Sequence, residues 1–240
     1  MKIPLKLLGI VFAALAACHT AGAQQAPVYP EHKQYRDAVG RVSALFRGRQ
    51  ATKYQFRYNG HYYWDNPTFK NGDILFEGRF YPDVPMNIDA VRQEILVLDP
   101  ENVVPIAINP ADVSSFNLAE KNFVCIDGAI REILYKGPNA ALYRKVAKTL
   151  ETSPDNVNGR EIGYSDPSYD YKVITYFSYK QTLYVSKAGG ELVIIKSKGA
   201  FRRQFKEYRK EIKTFLSGNY AVVDSPLAEY CTSILEHLGI

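Results

Sequence analysis

The chain has 240 residues, a formal charge of +5, 18 tyrosines, three cysteines and one tryptophan. Its length suits one domain, or two small ones, and is ample for a buried core. The charge is too mild for a nucleic-acid binder, and so few cysteines build no disulfide scaffold.

Lys2 and Lys6 precede an apolar run from Leu7 to Ala17 that is too short to span a bilayer. Ala21-Gly22-Ala23 then offers small residues for cleavage. This order predicts an export signal over residues 1–23. Two processing routes fit. Cleavage after Ala23 releases a soluble periplasmic protein that starts at Gln24. Leu15-Ala16-Ala17-Cys18 instead suits a lipoprotein peptidase, with Cys18 as the lipidated N-terminus. No later stretch reaches the roughly 18–20 apolar residues of a spanning helix. The expected location is therefore the periplasm, soluble or lipid-anchored.

After a polar leader, Tyr35, Val39, Val42, Leu45 and Phe46 share one helical face, which predicts a helix over 31–47 that Gly40 weakens. From Lys53 the period changes to two. Tyr54, Phe56 and Tyr58 alternate with polar residues, Asn59-Gly60 signals a hairpin turn, and His61 to Trp64 reads as the return strand. Asn66-Pro67 and Asn71-Gly72 read as further turns. Asp73 to Tyr81 alternates as one strand, and Pro82 and Pro85 bracket a kinked link. Strands follow at 94–98, 103–108, 112–118, 123–126 and 130–135. Turn signals at this spacing predict an antiparallel meander, sandwich or barrel-like sheet, and the many tyrosines suit a half-buried pleated surface.

The segment 140–150 fits either a helix or one strand face. Residues 153–163 read as an exposed loop. Tyr171 to Phe177 and Thr182 to Val185 read as a hairpin around Tyr179-Lys180-Gln181, and Gly189-Gly190 turns the chain into a strand at 192–195. Phe201, Phe205, Tyr208, Ile212 and Phe215 then recur at helical spacing, with Gly218 as a left-handed stop. Ser225-Pro226 starts a last helix whose face carries Leu227, Cys231, Ile234 and Leu238. The expected fold is α+β and predominantly antiparallel β, with two C-terminal helices and an N-terminal one. Residues 24–240 form a single domain whose helical segment begins near 199.

Three stretches carry a resemblance. They are Tyr58-Asn-Gly-His-Tyr-Tyr-Trp with 70–86, Glu132-Ile-Leu-Tyr-Lys-Gly running into 142–148, and Tyr184-Val with Lys196-Ser-Lys before the basic helix. Across most of 45–240 the chain resembles a family of small exported envelope proteins of Bacteroidetes-type bacteria. The resemblance implies a mostly β protein with a helical tail and favours a strand at 141–150. It supplies no reaction and no functional residues.

Among candidate sites, His61-Tyr62-Tyr63-Trp64-Asp65 places aromatic rings beside a carboxylate, a pattern that can stack on a saccharide. The same residues also suit cross-strand packing. Cys125 and His61 could be imagined as nucleophile and base, but nothing local supports the pair, and Asp73, Asp83 and Asp89 are scattered acids near turns, where Asp is common. Cys125 and Cys231 could pair in an oxidising compartment or stay as buried thiols. His32, His61 and His237 lack metal-ligand spacing, and no phosphate-binding loop is present, so neither a metal nor a cofactor is expected.

Between Lys196 and Lys213 lie eight basic residues, including Arg202, Arg203, Lys206, Arg209, Lys210 and Lys213, and Glu207 and Glu211 offset two of them. Such a face can meet anionic headgroups or an acidic partner, or simply be solvated. The expected function is non-enzymatic binding or scaffolding at the cell envelope, with an envelope protein or a saccharide as partner and membrane contact only through a lipid anchor or the basic helix. A glycan or peptidoglycan-fragment binder and an unrecognised hydrolase are the alternatives.

Overall fold

The structure, a computed structural model, describes residues 43–54, 58–99, 104–154, 173–188 and 190–240. The expected export signal, most of the expected N-terminal helix and nearly all of the expected 153–163 loop lie outside these residues. Of the expected helix, the described end is one 3-10 turn, Ala44–Phe46, with Leu45 and Phe46 buried.

Alternating apolar residues build an 11-stranded sheet in which every neighbouring pair is antiparallel. The strands are β1 (Arg49–Gln50), β2 (Lys70–Phe76), β3 (Arg79–Asp89), β4 (Glu94–Leu98) and β5 (Pro105–Ile108), then β6 (Val113–Leu118), β7 (Lys121–Ile126), β8 (Ala129–Lys136), β9 (Ala140–Pro154), β10 (Val173–Lys187) and β11 (Val193–Ile195). Their spatial order is β1-β5-β4-β3-β2-β6-β7-β8-β9-β10-β11. The sheet curls until the β3–β4 turn meets β9. Lys148 N donates to Ala90 O at 2.9 Å, and Gln93 Nε2 bridges Ala90 O and Val146 O. This contact encloses a first core around Trp64, Phe116, Phe123 and Val146.

Four helices follow: α1 (Lys198–Gln204), α2 (Arg209–Gly218), α3 (Tyr220–Asp224) and α4 (Leu227–Leu238). They cover β8–β11 and form a second core of Leu142, Leu183, Phe201, Phe205, Tyr230 and Ile234. The two cores meet along β8 and β9. On β8, Ile130 belongs to the first and Leu134 to the second; on β9, Val146 and Leu142 divide the same way. Between them lies Glu132, 4% exposed, directly opposite Arg144. Arg144 donates twice to Glu132 Oε2, at 2.8 and 2.6 Å.

Several expected turns do not form. The strand expected from Asp73 to Tyr81 is split by Glu77 and Gly78, both at positive φ, so β2 and β3 make a two-residue hairpin of the kind that matches strand twist. Asn71-Gly72 lies inside β2. Asn71 Nδ2 bonds Asp83 Oδ1, and Gly72 lets Asn117 approach so closely that a Cβ would stand 2.0 Å from Asn117 O. Pro82 and Pro85 lie inside β3, in the part paired only with β2, where a missing N–H is tolerated. A bulge absorbs the irregularity. Asp73 accepts from Asp83 N and exchanges hydrogen bonds with Asn117 on β6. Asn66-Pro67 is a turn as expected, with Asn66 Oδ1 accepting from Thr68 N.

The Asn59-Gly60 hairpin is likewise not formed. Asn59 bridges Tyr176 and Tyr63 bridges Asp89, so 61–64 crosses the ends of β3 and β10 without forming a return strand. The ambiguous 140–150 segment is strand β9. Tyr179-Lys180-Gln181 is no turn either: β10 runs straight through it, paired with β9 from end to end. The single helix expected over 201–215 breaks at Phe205 (φ −114°, ψ 42°). There Lys187 Nζ takes the Gln204 carbonyl at 2.8 Å, and a 3-10 turn, Lys206–Tyr208, leads into α2. Gly218 stays helical, and the left-handed stop is Gly239 after α4. Ser225 donates to Val222 O and closes α3, so Pro226, not Ser225, occupies the cap of α4.

Gly72→Ala is expected to cost about 1–3 kcal/mol in urea denaturation, because its methyl meets backbone. Gly218→Ala has open space and helical φ. It is expected to be neutral or to stabilise by up to about 1 kcal/mol.

Candidate functional site

The 58–65 segment is pinned by its own side chains. Trp64, only 8% exposed, packs edge-on against Phe123 with ring centroids 5.2 Å apart, and Lys121 Nζ sits 4.5 Å over its ring. Trp64 is therefore a core residue and not a surface platform. Tyr62 and Tyr63 stack on each other at 4.2 Å, and Tyr54 covers Tyr62 at 4.4 Å. Phe177 of β10 meets Tyr54, Tyr58 and Tyr62 edge-on. The ring faces a saccharide would need are largely spent on one another. Asp65 is exposed beside this column.

His61 is half-buried. Lys148 Nζ donates to its carbonyl at 2.8 Å and lies 3.3 Å from Nδ1. Burial, then the Lys148 charge, holds the imidazole below its ordinary pKa and so neutral. Burial also lowers Lys148. Cys125, packed against the first core, has its thiol pushed up to about 12 by burial, and Cys231, in the second, likewise to about 12. Both cysteines are free. A thiol so raised is no nucleophile at neutral pH, and the neighbours of His61 are Lys148 and Tyr63. The Cys125–His61 pair thus has no geometric support.

Asp89 is the buried carboxylate of this region, 2% exposed. It accepts from Tyr54 Oη at 3.0 Å and from the N–H groups of Val91 and Arg92 at 2.9 Å each. Burial raises its pKa despite these donors, and burial together with Asp89 raises that of Tyr54. Nothing in its local sequence sets Asp89 apart from other acids near turns. Its role depends on Tyr54, 35 residues away, which no local pattern shows.

Arg202, Arg203, Lys206, Arg209, Lys210 and Lys213 are all exposed along α1, the 3-10 turn and α2. None has an ion pair among the described residues, while Glu207 is held by Lys187 from the sheet. Tyr220, 75% exposed, and Val223, 39% exposed, present apolar surface on the adjoining α3.

A cleft of about 580 Å³ opens where the 109–112 crossover links β5 to β6. Arg49, Arg92, Gln93, Glu94 and Asp112 supply its polar wall, over a floor that includes Phe76 and Ile108. No sequence pattern marks it, because its residues come from five separate segments. Among the described residues no cluster of three metal-ligating side chains occurs, and no helix is long and apolar enough to cross a membrane. No protein-family model matches the chain, and no curated protein or solved structure does.

A carboxyl whose pKa is raised by folding binds a proton in the folded state before the unfolded one, so it adds stability as pH falls and loses it as pH rises. Asp89→Asn is uncharged throughout. The stability of wild type relative to Asp89→Asn is therefore expected to rise as pH is lowered from neutrality, read by urea denaturation at a series of pH values. A pH-independent difference would sink this account of Asp89.

Proposed function

We propose that this is an exported, non-enzymatic binding protein of the cell envelope that docks on an anionic membrane surface through the basic face of α1 and α2. The observation that carries the reading is the set of six exposed cations, without ion pairs among the described residues, beside exposed Tyr220 and Val223. Lysine and arginine near an anionic leaflet contribute about 1 kcal/mol each, and a neighbouring aromatic can enter the headgroup layer. Glu207 would otherwise blunt this face, and its pairing with Lys187 draws it back toward the sheet.

Residues 1–23 supply the export signal in this reading, with the mature chain starting at Gln24 or at acylated Cys18. The intact mass of protein from native membrane and soluble fractions distinguishes the two starts. A mass that retains Met1 would contradict export.

Surface docking is tested with the full chain carrying Cys18→Ser, so that no acyl anchor contributes. Co-sedimentation is expected with vesicles containing phosphatidylglycerol but not with phosphatidylcholine alone, and it should weaken at high salt. Arg203→Glu with Lys210→Glu should abolish it. Equal binding to both vesicle types, or no loss on charge reversal, would overturn the reading.

A further inference from the structure

The crossover cleft has chemistry of its own and does not depend on the membrane reading. Gln93 sits at φ 56°, in the left-handed region, where a non-glycine residue is strained. Both its Nε2 protons are committed, to Ala90 O and Val146 O, and its buried Oε1 has no donor among the described residues. Glu94 stands next to it. Arg49 holds Glu94 Oε1, and the buried Oε2 also has no partner among the described residues. Both residues line the cleft, and unsatisfied buried oxygens there, one of them carrying charge, are costly unless something donates to them. Asp112 on the crossover adds a second carboxylate to the lining, without an ion pair among the described residues.

Opposite charge is also available. Arg92 lines the same cleft and is exposed. Its guanidinium lies 5.6 Å from the Tyr54 ring centroid, and no carboxylate pairs with it among the described residues. A planar guanidinium held against a ring is well suited to take a carboxylate through two hydrogen bonds. The volume falls within the range of small-molecule sites, and an apolar floor with a few convergent polar groups is their usual makeup.

We infer that the cleft binds a small zwitterion, of amino-acid to short-peptide size, whose ammonium meets Glu94 and Gln93 and whose carboxylate meets Arg92. The ammonium satisfies the two orphan oxygens, and the carboxylate neutralises the unpaired guanidinium.

Titration calorimetry of the full chain with the dipeptide alanyl-alanine tests this directly. Saturable one-to-one binding is expected. N-acetylation of the dipeptide, or amidation of its C-terminus, should each weaken binding by at least about tenfold, a loss of about 1.4 kcal/mol. Arg92→Ala should remove the penalty for amidation, and Glu94→Gln the penalty for acetylation. The first variant is at an exposed residue and the second keeps an acceptor for Arg49, so both should fold, as circular dichroism will verify. Absence of saturable binding, or equal binding of the blocked and free dipeptides, would overturn the assignment. Failure here would leave the vesicle result untouched.

Discussion

One antiparallel sheet has to face two cores, and the Glu132–Arg144 pair occupies the place where they meet. Glu132 is buried, and Arg144, its partner, is half-buried. Burial of an ion pair costs several kcal/mol in desolvation, so the pair is not where the fold gains its stability. Its contribution is to register. Glu132 and Arg144 are directly opposed across β8 and β9, and a slip by one residue would bury a lone charge while turning Ile130, Leu134, Leu142 and Val146 to the wrong face. Lys121, 4.0 Å from the other oxygen of Glu132, ties the pair to Trp64 through its place over the indole.

That constraint explains what happens to the aromatic segment. The sheet must curl far enough for the β3–β4 turn to reach β9, and beside that contact residues 58–64 tie β3 to β10. Trp64 fills the core beneath, the tyrosine column fastens the segment to β10, and Asp89 holds Tyr54 from β3. Rings that would serve a glycan site are consumed as fasteners. Their stacking is worth about 0.5–1.5 kcal/mol per pair beyond area burial, enough to hold an otherwise irregular segment in place.

Surface chemistry is then left to two regions built differently. The basic face is local: one run of sequence, helical spacing, side chains directed outward. The crossover cleft is assembled from β1, the β3–β4 turn, the ends of β2 and β5, and the loop between β5 and β6. Its strained Gln93 is held only because Ala90 and Val146 are brought together by closure of the sheet.

Strands β4, β6, β7 and β8 and the cation run could be read from sequence, because each depends on neighbours within a few residues: alternation, turn chemistry, charge count. The errors share one cause. Asn71-Gly72 has turn chemistry, yet Asn117 and Asp83 satisfy it within a strand. Tyr179-Lys180-Gln181 carries polar residues in mid-strand because β9 pairs along its whole length. Phe205 has helical spacing, yet Lys187 takes the preceding carbonyl and the helix breaks. Trp64, open in sequence to stacking on a saccharide or to packing, packs because the curled sheet closes over it. Composition and periodicity determined an antiparallel sheet with a basic helical tail. Which turns formed, which rings were buried and where a cleft opened were decided by pairing across long sequence distances, where one hydrogen bond or buried face outweighs a local preference of a few tenths of a kcal/mol.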